Sequence, residues 1–144
     1  MDLIVDGHNH AILTIVERST NMLFMTKLAH GKKSEPLAKA VRRLLLPYKK
    51  HIKTITTDNG PEFAANRLIT KYLGAVVYFA DPYASWQKGV LENTNKLIRQ
   101  YIPKQANFDD FTDMIASIQK KINSRSIQKL RFETPKAAFY KRIA

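Results

Sequence analysis

Three carboxylates stand where an α/β chain could put them to chemical use. The run Ile52 to Thr56 stops at Thr57-Asp58-Asn59-Gly60, so Asp58 would sit at the C-terminal edge of a sheet, where ligands of open α/β folds bind. Asp2 lies in the first apolar run, DLIV, and comes close to Asp58 if the fourth strand lies beside the first. Glu92 falls in a helical stretch. With Glu92 at zero and ~100° per residue, Lys96 is near ~40° and Arg99 near ~340°, while Val90, Thr94, Leu97 and Tyr101 gather near ~180°. One face is apolar, and the other carries a carboxylate with cations one and two turns along. Each feature also has an ordinary reading. Asp-Asn-Gly is a common turn, Asp2 an N-terminal surface residue, and Glu92/Lys96 an i,i+4 pair that steadies a helix. Taken singly, the residues leave both readings open.

The elements that must position these groups can be read from hydrophobic period. Residues 2–5, 11–16 and 22–28 are short runs rich in Ile, Val, Leu and Phe, separated by Gly7-His8-Asn9-His10 and Arg18-Ser19-Thr20-Asn21. They predict an antiparallel three-strand meander. From Ser34 the period changes, with Leu37, Val41, Leu44 and Leu45 at i, i+4, i+7 and i+8. This predicts an amphipathic helix with Ser34 as its N-cap, Pro36 in its first turn, an end near Pro47, and Lys39, Arg42 and Arg43 on its solvent side. Residues 52–56 read as a strand, Pro61 to about Leu73 as a helix, and 75–79 as a fifth strand in which Tyr78 alternates toward the core. A polar and aromatic loop, Asp81 to Gly89, precedes a helix from Val90 to Tyr101; loops of such length tend to be functional. A last helix starts near Asp109 or Asp110, with Phe111, Met114, Ile115, Ile118 and Ile122 on one stripe. The order βββαβαβα predicts one α/β domain over residues 1–144, a mixed sheet with helices on its faces.

Composition narrows the partners. The chain has 24 Lys and Arg against 12 Asp and Glu, a formal charge of +12, and 44% hydrophobic residues, enough to bury a core. The charge favours a polyanion through Coulomb attraction and counterion release. A membrane surface would need a basic helix with a free apolar face, and the basic helices here need theirs for the core, so nucleic acid is the expected partner. With no cysteine there is no disulfide framework and no Cys-based zinc site. Met1-Asp2 lacks the basic start of a secretory signal, and the longest apolar run, Tyr72 to Ala80, is too short to span a bilayer.

Five segments carry a family resemblance: DLIV at 2–5, LTIVERST at 13–20, TTDNGPEF at 56–63, YFADPYASWQKGVLENTNKLIRQYIPK at 78–104, and FETP at 132–135. On these the sequence resembles, over nearly its whole length, the transposases of the insertion-sequence-thirty family, whose catalytic domain is similar to retroviral integrase and ribonuclease H. The 33 residues between Asp58 and Glu92 match that family's Asp-Asp-Glu spacing. Residue by residue, the resemblance puts the family's first Asp on Asp2, its second on Asp58, its Glu on Glu92, and the basic residue seven positions further on at Arg99. It implies a ribonuclease-H-like fold with a five-stranded mixed sheet: the β1-β2-β3 meander plus β4 and β5.

Three departures from the family pattern stand out. The family's helix-turn-helix region does not precede Asp2, so the chain is expected to be an excised catalytic domain. Asp6 is a rival for the first Asp. The family's Asn-x-Arg-Pro-Arg-Lys-like segment reads Asn123-Ser124-Arg125-Ser126-Ile127-Gln128 here.

The implied activity is metal-dependent cleavage at the ends of a mobile element to expose 3′-hydroxyls, followed by their joining to target DNA by direct transesterification. Asp2, Asp58 and Glu92 would be the catalytic residues and the ligands of Mg²⁺, or of Mn²⁺. Carboxylates on rigid elements suit such hard ions, and two ions about 3.5–4 Å apart suit phosphodiester chemistry. Lys96, Arg99, Trp86 and Lys88 are the candidate DNA contacts, with Trp86 or Tyr83 able to stack on an unpaired base. His8-x-His10 is read as a tight-turn pair, because no third metal ligand is placed by spacing. The resemblance also implies a homo-oligomer in the active state and a cytoplasmic place at the bacterial nucleoid. The rivals are a non-catalytic DNA-binding remnant or scaffold of the same fold, and a metal-dependent ribonuclease.

Overall fold

Strand β2 (Ala11–Val16) is the centre of the molecule, and its sequence, AILTIV, explains why. Its first five residues are all buried, as in a strand covered on both faces. It pairs antiparallel with β1 (Asp2–Val5), Asp2 opposite Thr14, and with β3 (Leu23–Lys27), Val16 opposite Leu23. The computed structural model describes residues 1–28, 33–57, 66–79 and 89–144. The predicted meander is therefore present. Its connections turn at Asn9 (φ 64°) and Asn21 (φ 59°), a left-handed conformation that Asn tolerates better than most residues.

Alternation along the strands divides the core in two. Leu13, Ile15 and Phe24 point to one face, with α1 (Ser34–Leu45), α2 (Asn66–Leu73) and Phe139 of α5 (Pro135–Ile143). Ile4, Ile12, Leu23 and Met25 point to the other, with Ile98 of α3 (Gly89–Tyr101) and Ile115, Ile118 and Ile122 of α4 (Ile115–Asn123). Each such Ile or Leu contributes about 1.5–3 kcal/mol by leaving water.

β4 (Thr54–Thr57) and β5 (Val76–Phe79) form a parallel pair, Thr56 opposite Tyr78. Among the described residues the five strands make a three-stranded and a two-stranded ladder rather than one continuous sheet. They meet where the Met1 amino group donates to the Thr56 carbonyl at 2.6 Å, a single bond that brings the start of β1 against β4. A cavity of about 580 Å³ opens at this junction, lined by the end of β2, by β4 and by the start of α3.

Several expectations shift. Lys33, not Ser34, caps α1, and its side chain makes no capping bond; Ser34 is already helical. The helix ends at Leu45 and passes into a 3₁₀ helix, Leu46–His51, that holds Pro47 in its first turn. Lys39, Arg42 and Arg43 are exposed, as their helical angles required. The fourth strand is one residue nearer to Asp58 than predicted. Asn66–Leu73 is helical, and the Pro61 start lies outside the described residues; the helix closes on Gly74 (φ 68°), whose amide reaches the Thr70 carbonyl at 2.7 Å. Tyr78 is 55% exposed rather than in the core. The helix predicted from Asp109 begins as a 3₁₀ helix, Phe108–Met114, capped by the Asn107 side chain, and this tighter winding turns Met114 out to solvent. Helix α5 was not anticipated: Thr134 caps it and Pro135 starts it, but its apolar stripe is short.

Candidate active site

Asp2 opens β1 with its carboxylate already engaged. Its Oδ1 accepts the Leu3 amide at 2.8 Å, and its Oδ2 accepts the Asn95 Nδ2 at 3.2 Å. Asn95 Oδ1 accepts the hydroxyl of Thr14, the buried residue opposite Asp2 in β2, at 3.3 Å. A short polar chain thus ties α3 to the centre of the meander. Asn95 lies three residues after Glu92, so the bond brings Asp2 to within about one helical turn, ~5.4 Å along the axis, of the Glu92 position. Glu92 and Lys96 are exposed, while Leu91, Thr94 and Ile98 supply the buried stripe.

The end of β4 arrives at the same place. Thr57, the last residue of β4, is buried, its hydroxyl has no partner among the described residues, and the preceding Thr56 holds Met1. Asp58, Tyr83, Trp86 and Lys88 lie outside the described residues. Asp2 and Glu92 offer hard oxygen donors of the kind Mg²⁺ takes, and Val90 and Leu91, just before Glu92, line the same cavity as Thr57. Among the described residues no three or more His, Asp or Glu side chains converge as a metal cluster.

Asp6 is a different kind of carboxylate. Its side chain is fully buried, with Oδ1 accepting the amides of His8 at 2.9 Å and His10 at 2.8 Å. Its Oδ2 accepts the Phe108 amide at 2.8 Å and faces His10 Nδ1 at 2.9 Å. Burial alone would raise its pKa, but the bonds from the Phe108 amide, His10 and the His8 amide outweigh it and hold the carboxyl far below the usual range. With four donors on two oxygens, Asp6 is built to close the β1–β2 turn onto the 3₁₀ helix. His10 continues the chain through Nε2 to Asp109 at 3.1 Å, and Asp109 takes Lys27 at 2.6 Å. The His8/His10 pair is thus part of a turn, as the spacing suggested.

Arg99 departs from its expected role. It does not stand on the open face with Lys96: its guanidinium packs over the Phe108 ring, 5.5 Å from the centroid, and donates to the Val5 carbonyl at 3.3 Å. Burial lowers its pKa and the nearby Asp6 charge partly offsets this. The physical reason is that a long side chain at a helix edge can cover apolar surface and reach a free carbonyl. Tyr101 is likewise 38% exposed rather than on the buried stripe, with the Lys121 ammonium 5.6 Å from its ring.

Sequence reasoning missed Asn95 and Asn123. Asn95 was detectable, since three residues past Glu92 places it at ~300° on the same side of the helix. Asn123 clamps the free edge of β3, its Oδ1 accepting the Leu23 amide at 2.8 Å and its Nδ2 donating to the Leu23 carbonyl at 2.9 Å. Nothing in its local sequence signals that.

Comparison with known proteins agrees with this architecture. The chain is 44% identical over 144 residues to the transposase for insertion sequence element IS4351 of Bacteroides fragilis, covering 96% of this chain and 44% of that protein. It is 34% identical over 148 residues to the transposase InsI of IS30A from Escherichia coli K12, covering 99% of this chain and 38% of that one. Both of these relatives are IS30-family transposases. A third IS30-family relative, the transposase for IS1086 of Cupriavidus metallidurans, is 30% identical over 130 residues, 90% of this chain and 38% of the relative. The chain thus spans less than half the length of each of these transposases. No family model matches it. Among solved structures, the catalytic core domain of BIV integrase superposes with a TM-score of 0.68 at 17% identity, over 98% of this chain and 93% of that domain. The fold of this IS30-family homologue is that of an integrase catalytic core, a ribonuclease-H-like α/β fold.

Proposed function

We propose that this domain is the metal-dependent catalytic core of a DNA transposase, a polynucleotidyl transferase that frees 3′-hydroxyls at the ends of an element and joins them to target DNA. The observation that carries the reading is the Asp2–Asn95 bond, which fixes a β1 carboxylate against the helix that bears Glu92, beside the strand that leads into Asp58. Membership among IS30-family homologues and the integrase-core fold support it.

In this reading Asp2, Asp58 and Glu92 hold Mg²⁺ or Mn²⁺. The bound ions supply activation of the attacking oxygen and neutralisation of the leaving oxygen. Asn95 orients Asp2, as outer partners of a ligating carboxylate do. Lys96, exposed one turn beyond Glu92, contacts a DNA phosphate, together with Trp86 and Lys88, which precede α3 in the sequence. Arg99 instead anchors α3 to the Asp6 turn. The domain works on DNA as a homo-oligomer in the cytoplasm. Among the described residues no helix is long and apolar enough to cross a membrane.

The test is joining of pre-cleaved ends in Mg²⁺, with DNA affinity measured in parallel. Glu92→Gln is expected to abolish joining and to leave DNA affinity within about twofold, because the side chain is exposed and keeps its shape. Asn95→Ala should weaken Mn²⁺ binding by about 10–100-fold, the usual cost of losing an outer partner. Joining by Glu92→Gln at the parental rate would refute the ligand assignment. DNA binding without turnover by the parent would favour a scaffold, and cleavage of the RNA strand of a hybrid would favour a ribonuclease.

A further inference from the structure

The segment between α4 and α5 is strained, rigid and basic, and the active site makes no use of it. It leaves the face of the sheet covered by α4, passes the β2–β3 turn, and enters α5 on the opposite face. Lys129 pins it in passing, its ammonium donating to the Arg18 carbonyl at 2.6 Å and to Asn21 Oδ1 at 3.0 Å. Five backbone bonds close the loop on itself, among them Phe132 N to Ile127 O at 2.9 Å and Ile127 N to Glu133 O at 3.1 Å.

At its tip Arg131 (φ 54°) and Phe132 (φ 66°) are both left-handed, a conformation uncommon for any residue but Gly and an outlier for a bulky one. Strain of this kind persists only where surrounding structure enforces it, and it is found at functional sites. Its product here is that Phe132 projects with 71% of its surface exposed, more than any other large hydrophobic residue described.

We propose that this loop is a second DNA-contacting element, in which Phe132 presses against the bases of a duplex and Arg131 neutralises an adjoining phosphate. The proposal rests on the reading of the domain as DNA-binding. Charge selects the partner. From Arg125 to the C-terminus the chain carries six cations, Arg125, Lys129, Arg131, Lys136, Lys141 and Arg142, against the single carboxylate Glu133. That carboxylate is compensated by Lys141 at 3.4 Å, and Arg131 enters no ion pair among the described residues. Protein-binding patches are depleted in lysine, whereas a rigid apolar wedge flanked by arginine and lysine is how architectural proteins engage stacked bases. The loop also explains why FETP, with Thr134 capping α5 and Pro135 starting it, follows the tip directly: the helix start anchors the C-terminal side of the wedge as Lys129 anchors the other.

The test is a fluorescence-anisotropy titration of the 144-residue chain with a labelled duplex over a series of salt concentrations. Phe132→Ala is expected to weaken binding about tenfold, the scale of a lost aromatic–base contact, with an unchanged salt slope because no charge is removed. Phe132→Trp should restore it. Arg131→Ala should lower the slope of log affinity against log salt by about 1, one phosphate released. Affinity of Phe132→Ala within twofold of the parent would overturn the proposal while leaving the DNA reading intact. A parent chain that binds no DNA at low salt would overturn both. A dimer of the parent that Phe132→Ala dissociates, at unaltered DNA affinity, would make the tip a protein interface and overturn it as well. If Phe132→Ala failed to fold by circular dichroism, an unchanged salt slope in Arg131→Ala would still refute the contact.

Discussion

Replacing Asp6 by Asn separates a structural carboxylate from a catalytic one. In Asp6→Asn the amide oxygen can keep the His8 and His10 amides, now without the charge that strengthened them. The new NH₂ group takes the place of Oδ2 and faces the Phe108 amide, a donor against a donor. A buried donor left unpaired costs about 1–3 kcal/mol, and loss of charge from the remaining bonds adds roughly 1 kcal/mol more. The Coulomb attraction between Asp6 and Arg99 also disappears. The expected destabilisation is about 2–4 kcal/mol, or roughly 5–15 °C in melting temperature for a domain of this size.

Urea unfolding followed by far-ultraviolet circular dichroism measures this directly, with the m-value expected to stay constant because the surface exposed is unchanged. Mn²⁺ affinity of the folded variant should equal that of the parent. A midpoint shift equivalent to less than about 0.5 kcal/mol, the range of ordinary surface substitutions, would refute the reasoning. So would loss of metal binding without loss of stability, which would make Asp6 the first ligand in place of Asp2.

Two further outcomes follow from the same geometry. Asn123→Ala leaves the buried N–H and C=O of Leu23 unpaired and should cost about 2–4 kcal/mol, read by urea unfolding and by faster hydrogen exchange at the Leu23 amide. Acid should destabilise the fold: burial raises the pKa of Asp6 and of Glu17, but the bonds from Phe108, His10 and His8 to the first, and from Thr20 and Ser19 to the second, bring both below their ordinary values of 3.8 and 4.5. Their stabilisation is complete above those ordinary values and is lost as pH falls toward the folded ones, so the urea midpoint should decline below about pH 4.5. A midpoint flat from pH 6 to pH 3 would contradict this.

The sequence by itself determined the secondary structure that period and turn chemistry control. AILTIV is apolar at every position but Thr14 because β2 is covered on both faces, and Leu37, Val41 and Leu45 repeat at helical spacing because only one side of α1 meets the core. The candidate carboxylates were legible for a related reason: strand ends and helix faces constrain where a side chain can point. Tertiary structure alone decided their partners. What Asp2 and Asp6 bond depended on Asn95 and Phe108, which lie 93 and 102 residues away along the chain. Arg99 turned inward because a free carbonyl and an aromatic ring happened to lie beside it, and Asn123 became a strand partner because α4 packs along the β3 edge. Local period says which way most residues face, and fails where winding or edge position changes, as at Met114 and Tyr78. Hydrogen bonds between groups far apart in the chain say what each residue meets, and those distances exist only once the two cores have closed on the sheet.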